Sequence, residues 1–383
     1  MDTETPIKEV IEEIKEFGGE AVKYCYQCGK CDTLCPWNKV INFSIRRLIR
    51  EAAFGIPEIE LEEVWRCTTC GKCPQECPRD VKQIDDVVAM RRIAAEYGVS
   101  STLLKPVRSA SASLAAEGNP FVQDRSKRAD WAEGHNVKDF DETMEILYFP
   151  CCYVCYDQRL MEIARATAGI LNKAGVEFGI LGTEENCCGE SIRKTGNEDV
   201  FKTLARENIK TFIDHGVKKI LVSSPHCYHT FKNEYPEFKA NFEVVHISEY
   251  LNELIKTGRL KIKGEYNKKV AYHDPCYLGR HNGIYDPPRE ILQAIPGLEF
   301  CELYEAREES LCCGMGGGRI WIDTMMSERF SNLRLEQAIE IGAEVLVTAC
   351  PYCVDALEES RSGLNYEETI LVKDITEIIN ELT

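Results

Sequence analysis

Two cysteine runs near the N-terminus constrain this chain more than any other feature. The first reads Cys25-Tyr-Gln-Cys28-Gly-Lys-Cys31-Asp-Thr-Leu-Cys35-Pro36. The second reads Cys67-Thr-Thr-Cys70-Gly-Lys-Cys73-Pro-Gln-Glu-Cys77-Pro78. Both fit C-x2-C-x2-C-x3-C-P, in which three thiolates take one iron–sulfur cubane and the fourth reaches the other. This assigns Cys25, Cys28, Cys31 and Cys77 to one [4Fe-4S] cubane, and Cys67, Cys70, Cys73 and Cys35 to a second. Gly29 and Gly71 allow the tight backbone turn that aims N–H groups at sulfide. Zinc knuckles do not account for two identical four-cysteine runs, since zinc takes four ligands usually drawn from distant pairs.

Around these runs, Thr5–Phe17, Ile41–Ala53 and Val81–Tyr97 carry apolar residues at helical spacing. The link between Cys35 and Cys67 is longer than in a small β-rich ferredoxin. An all-helical module with two cubanes over residues 1–98 is expected, acting as an electron wire. Residues 99–143, with Ser109-Ala-Ser-Ala-Ser113 and Gly118-Asn119-Pro120, read as a linker with one or two short helices.

The remaining chain is an internal duplication of alternating short strands and helices, which implies α/β domains with mostly parallel strands. In one copy, 144–258, strands at 145–149, 176–181 and 219–223 lead into Cys151, Cys187-Cys188-Gly189 and Cys227. In the other, 259–383, strands at 269–273, 298–303 and 345–349 lead into Cys276, Cys312-Cys313-Gly314 and Cys350-Pro-Tyr-Cys353. Thirty-five residues lie between Cys151 and Cys187, and 35 between Cys276 and Cys312. Cysteines just past strand ends belong where sites form in open α/β sheets. Cys276, Cys312, Cys313, Cys350 and Cys353 would therefore gather as a complete five-sulfur set. Gly314, Gly316, Gly317 and Gly318 would let backbone approach something bulky. In the same frame the first copy has Thr230 opposite Cys353. Cys151, Cys187, Cys188 and Cys227 then form a degenerate site, holding no metal, zinc or an altered iron–sulfur cluster, with Cys152, Cys155, His226 or His229 as substitute ligands. Cys301 has no partner and reads as packing.

Twenty cysteines in one chain, with 44% hydrophobic and 28% charged residues, describe a foldable protein rich in metal ligands. The net charge of −17 argues against nucleic-acid binding. No stretch approaches the roughly 18 apolar residues of a membrane span. Met1–Glu20 lacks the features of a signal peptide. A cytoplasmic protein is expected, or one held peripherally on the cytoplasmic face of a membrane by a partner subunit.

The frame C-x35-C-C-G-x35-C-x-x-C resembles the cysteine-rich "CCG" domain of heterodisulfide reductases. The whole chain, helical ferredoxin then two CCG domains, resembles their D-type subunit. Relatives include the K-type subunit of the sulfite-reduction-linked membrane complex. The resemblance implies a noncubane [4Fe-4S] cluster on Cys276, Cys312, Cys313, Cys350 and Cys353. It implies cleavage or formation of a disulfide of the coenzyme M–coenzyme B type, or of a protein trisulfide, with His273 and Arg319 among groups supplying protons or charge. It implies partners such as a membrane cytochrome b or a flavoprotein. The alternative it carries is an electron-relay subunit of a lactate or glycerol-3-phosphate dehydrogenase complex feeding quinone.

Overall fold

The computed structural model describes residues 5–99 and 102–383. The described N-terminal residues contain helices and turns and no strand, as the helical spacing predicts. Its longer helices are Lys8–Glu16, Ile45–Phe54 and Gln83–Glu96. Ser44 caps the second through its hydroxyl, and Gly55 ends it in a left-handed conformation. Short helices start directly after Gly29 and Gly71, whose φ of 84° and 80° suit glycine alone at this turn.

The stretch read as a linker does more than connect. Helix Lys105–Glu117 packs on helix Glu198–Asp214 of the first α/β domain. Trp131 lies in the core of that domain, and Arg128 forms a buried ion pair with Glu185 at 2.9 Å. Strand β1 (Lys138–Asp139) joins the edge of the first sheet.

That sheet runs β1-β3-β2-β4-β5, with β2 Ile146–Phe149, β3 Phe178–Ile180, β4 Lys219–Val222 and β5 Glu243–His246. The second runs β7-β6-β8-β9, with β6 Lys269–Tyr272, β7 Glu299–Cys301, β8 Val345–Thr348 and β9 Leu371–Asp374. All pairings are parallel. Strands β2, β4, β6 and β8 are buried apart from the first residues of β4 and β6, as central parallel strands must be. The fourth strands, β5 and β9, escaped the sequence reading. Their signal was a second repeat, Val245-His-Ile-Ser-Glu249 against Lys373-Asp-Ile-Thr-Glu377, in which the second residue caps the following helix through a capping box.

The two domains exchange helices. Helix Ile375–Leu382 of the second packs on Met161–Lys173 of the first, and Ile247–Lys256 of the first packs on Asp286–Gln293 of the second. This reciprocal packing makes one continuous hydrophobic core of both. A separate core fills the ferredoxin module, and Cys276, Tyr277, Leu311, Cys312 and Phe330 of the second domain belong to it.

Candidate functional site

The site begins at the surface. Cys25, Cys28, Cys31 and Cys77 line one small cavity, and Cys28 is exposed. The Val81 N–H donates to Cys77 Sγ at 3.3 Å, and Gln27 Nε2 donates to Cys25 Sγ at 3.3 Å. Deeper in, Cys35 lies within electrostatic reach of Cys67, Cys70 and Cys73, and the Thr69 N–H donates to Cys67 Sγ at 3.4 Å. The fourth cysteine of each run thus lies with the first three of the other, as the crossed spacing predicts. Burial pushes the Cys31 thiol up to about 12. Thiols so disfavoured as free thiolates fit a cationic iron core that would stabilise the charge.

The inner group touches the second α/β domain directly. Cys70 hydrogen-bonds with Cys312, and Cys312 Sγ lies 3.7 Å from Thr68 Oγ1. A Cβ on Gly316 would sit 2.4 Å from Thr68 O, and one on Gly317 2.5 Å from Cys67 O. The glycine loop therefore exists to admit ferredoxin backbone, which is the bulky object its sequence implied. Arg91 fastens this junction. It is fully buried and donates to Cys67 O at 2.8 Å, Gly317 O at 2.9 Å and Lys194 O at 3.0 Å, reaching all three domains. Nothing in the spacing around Arg91 announced that role.

The five sulfurs of the second domain converge past the ends of β6, β7 and β8. Hydrogen bonds run Cys276–Cys312–Cys313–Cys353–Cys350. All five residues are buried. Hydrogen bonds from Cys312 and Cys353 hold the Cys313 thiol well below its ordinary range. Burial pushes Cys350 up, but Cys353 and His226 beside it hold it at about 6.

His273 stands against this set, with a ring nitrogen within 4.8 Å of the Cys313 and Cys353 sulfurs. Arg334 Nε donates to its Nδ1 at 3.0 Å. Arginine can only donate, so Nδ1 is the acceptor and Nε2 carries the hydrogen. Nε2 is buried and has no hydrogen-bond partner, so its N–H is a free donor and not a metal ligand. Burial, with the Arg334 charge, holds the ring well below its usual pKa and keeps it neutral. His226 differs. Burial opposes its charge, yet Glu190 at 3.1 Å and the Cys350 thiol hold its pKa well above the ordinary value. Its ring is stacked between Tyr277 at 4.1 Å and Tyr352 at 4.4 Å. His229 is a neutral neighbour, lowered to about 4 by burial.

A cavity of about 260 Å³ opens at Cys313, walled by Trp37, Met315, Arg319, Trp321 and Phe330. Arg319 Nη2 donates to Thr324 Oγ1 at 2.6 Å, but its Nε and Nη1 have no hydrogen-bond partner. The nearest carboxylate contact to Nη1, Glu62, is 3.9 Å away. The residue carries 2% exposure, so this guanidinium edge is a buried, unsatisfied donor in the wall of the cavity.

The first domain required a correction to the alignment of the copies. Phe149 pairs with Val222 and Tyr272 with Val347. Ser224 and Cys350 each N-cap a helix that opens with proline. These registers set Cys152 opposite Cys276, Ser224 opposite Cys350 and Cys227 opposite Cys353. Thr230 is not the missing ligand, because its hydroxyl donates to His226 O at 3.0 Å within its own helix. Cys155 also lies apart, with its thiol on Pro150 O at 3.9 Å. Cys301 likewise stays alone, on Val270 O.

Three comparisons bear on this arrangement. Residues 146–232 and 270–358 match the CCG cysteine-rich domain, and residues 21–81 match the 4Fe-4S dicluster domain. A probable iron–sulfur-binding oxidoreductase of Bacillus subtilis is 38% identical over 309 residues, covering 78% of this chain and 43% of that protein. The EtfAB:quinone oxidoreductase of Syntrophomonas wolfei is 36% identical, covering 78% of this chain and 43% of that protein. The D-type polypeptide of the dihydromethanophenazine:CoB–CoM heterodisulfide reductase of Methanosarcina barkeri is 36% identical over 269 residues, covering 69% of this chain and 64% of that polypeptide. The chain thus spans less than two thirds of the length of these relatives. A crystal structure of a hypothetical protein from Helicobacter pylori shares the fold, with a TM-score of 0.55 over 98% of this chain and 72% of that one at 13% identity.

Proposed function

The chain belongs to the iron–sulfur oxidoreductases built from a 4Fe-4S dicluster domain and paired CCG domains, and from that premise we propose that it delivers electrons to a sulfur-centred reaction at the second CCG domain. The observation that carries the reading is the Cys70–Cys312 contact beside a cavity opening at Cys313. It supports a line from an exposed donor site at Cys28, through the inner group, to the five-thiol set whose Cys313 opens on a substrate-sized space.

In this proposal Cys25, Cys28, Cys31 and Cys77 hold one cubane, and Cys67, Cys70, Cys73 and Cys35 the other. Cys276, Cys312, Cys313, Cys350 and Cys353 hold a noncubane cluster. Such clusters supply single electrons at sulfur-rich sites shielded from water. Cleaving a disulfide consumes two electrons and two protons and yields two thiols. The chain's own residues then do three things. His273, with an unpartnered Nε2–H and a ring nitrogen within 4.8 Å of the Cys313 and Cys353 sulfurs, would favour added negative charge there. His226, charged against Glu190, stands at Cys350 as a positive neighbour. Arg319 offers its free edge to an anionic end of the substrate, while Trp37, Trp321 and Phe330 cover the apolar arm. An anionic disulfide with an apolar segment fits this wall.

The second reading is relay to quinone, favoured by the aromatic lining of the same cavity and by the Syntrophomonas relative's name. In either case a flavoprotein and a membrane cytochrome b are the partners expected as electron donor and acceptor. Among the described residues no helix is long and apolar enough to cross a membrane.

The test uses anaerobically purified chain reduced by an artificial donor. Oxidation of the reduced clusters by small disulfides, with release of two thiols per disulfide, supports the first reading. Oxidation by a soluble quinone but not by disulfides would replace it with the second.

A further inference from the structure

Arg91 carries a charge that no carboxylate answers. Its N–H groups all reach backbone carbonyls: Nε and Nη2 donate to Val64 O at 3.0 and 2.9 Å, and the others to Cys67 O, Lys194 O and Gly317 O. The residue is 0% exposed. Carbonyl dipoles satisfy its hydrogens but leave a unit of charge in the interior, and a buried charge without an opposite one is costly. Arg128, also buried, has the usual remedy in its ion pair with Glu185. Among the described residues no carboxylate forms an ion pair with Arg91. Burial opposes its charge; the Cys67 thiol and then the Tyr277 hydroxyl favour it. Burial holds that hydroxyl well above its ordinary pKa, so the tyrosine is neutral. The sulfurs of the inner group are the anions left to face Arg91.

Arg280 repeats the pattern at the crossing to the second CCG domain. Its Nε donates to Cys70 O at 2.7 Å and its Nη1 to Ser310 O at 2.5 Å. Among the described residues it too lacks an ion pair, and Cys70, Cys276 and Cys312 favour its charge against burial. The outer group is surrounded differently. The cations beside it are paired, Lys30 with Glu76 at 2.7 Å and Arg46 with Asp32 at 3.5 Å. A carboxylate oxygen of Asp32 lies 4.0 Å from Cys31 Sγ, and burial and then this carboxylate push the Cys31 thiol up.

We infer, on the cluster assignment proposed above, that Arg91 is the counter-charge of the inner cubane and keeps it reducible, with Arg280 as a weaker second charge at the crossing. An electron passing from the outer to the inner group adds one unit of negative charge there and no proton. Burial disfavours that added charge more at the inner group than beside the exposed Cys28. A fixed guanidinium at Cys67 offsets the difference, because attraction between opposite charges is strong where the dielectric is low. Without it the wire would meet an uphill step at its middle. Arg91 is not a ligand; it acts through the inner cubane by charge.

The experiment is a redox titration of the full chain, purified without air, reduced stepwise with dithionite and followed by electron paramagnetic resonance. Iron is counted on each sample. A soluble lanthanide chelate, which broadens the signal nearer the surface, tells the outer cubane from the inner. Arg91→Met removes the charge and keeps an apolar arm. It is expected to disfavour reduction of the inner cubane by about tenfold or more, a negative shift of about 59 mV for one electron, and to leave the outer one in place. Arg91→Lys keeps the charge with fewer hydrogen bonds, and should bring the inner couple back to within about threefold of wild type. A merely structural role would shift both variants alike. An equal shift in both, or an unmoved inner potential in Arg91→Met at full iron, would overturn the inference. Should Arg91→Met lose iron, Arg280→Met decides: a negative shift of the inner couple of about threefold or more supports the charge role, and an unchanged couple overturns it. A wild-type chain with fewer than about eight irons fails the cluster assignment itself, and the inference with it, before any variant is compared.

Discussion

The two CCG domains each gather five buried thiols, in opposite surroundings. In the second, Gly316 and Gly317 admit the ferredoxin loop, Cys312 touches Cys70, and Cys313 opens on a cavity. In the first, the corresponding residues are Ser191 and Ile192, both buried, and Ser191 bonds to Tyr352 of its twin instead. His273, with a ring nitrogen within 4.8 Å of two of the sulfurs, corresponds to Phe149, which packs on Phe231. Duplication preserved the sulfur cage, and divergence acted on what the cage can reach. One copy touches the ferredoxin module and opens on a cavity; the other is enclosed behind it.

The sharpest break of this comparison is to remove one sulfur from each domain. Cys313→Ser should lower disulfide turnover by two orders of magnitude or more, about 3 kcal/mol of barrier or greater. Cys188→Ser should lower it about tenfold or less, since no substrate wall is built on it. Equal losses in steady-state assays would erase the division of roles.

A second contrast concerns pH. His246 and Asp374 occupy the same capping position in the two copies. Burial lowers His246 to about 3 and raises Asp374 to about 7. The histidine is buried neutral, so its domain holds full stability above about pH 6.5 and loses it as pH falls towards 3. The carboxyl is buried protonated, so its domain is at full stability below about pH 4 and loses it as pH rises towards 7. Each effect is on the order of 2–4 kcal/mol. Hydrogen exchange should show the first domain loosening in acid and the second near neutrality. Asp374→Asn should flatten the second profile alone, and His246→Asn the first.

A smaller effect is expected from making the second domain resemble the first. His273→Phe removes a free N–H donor beside the sulfurs, which on reduction would be worth about 1 kcal/mol, or about 40 mV in a one-electron couple. The cluster potential should move negative by that amount in a redox titration, with iron content unchanged. An unshifted potential would deny His273 its contact with the sulfurs.

Least of all should follow from Thr230→Cys. Its hydroxyl bonds only its own helix, so stability should change by less than about 1 kcal/mol and no iron should be gained. A gain of iron would restore the original alignment of the two copies.

Much of this protein was readable from spacing. The crossed cysteine runs, the helical ferredoxin and the parallel α/β duplication are local patterns, and periodicity reports local patterns directly. The five cysteines of the second domain were legible for the same reason, each one following a strand. The mistake over Thr230 shows where that method ends. Counting residues between cysteines slides by one at β2 and by three at β4. Hydrogen-bond register, which sequence spacing does not carry, decides which residue faces the cage. The linker misled similarly: its Ser- and Ala-rich composition hides Trp131 and Arg128, which only burial identifies as part of the first domain.

By itself, then, the sequence determined the chemistry available: thirteen cysteines in three complete sets, their order along the chain, and the repeat that carries them. The tertiary structure decided which sulfurs meet across domains. Cys70 against Cys312, His226 against Cys350 and Arg91 binding three backbones are all contacts between residues distant in the chain. They depend on how parallel sheets register and how helices are exchanged between copies, and packing of the whole molecule sets both.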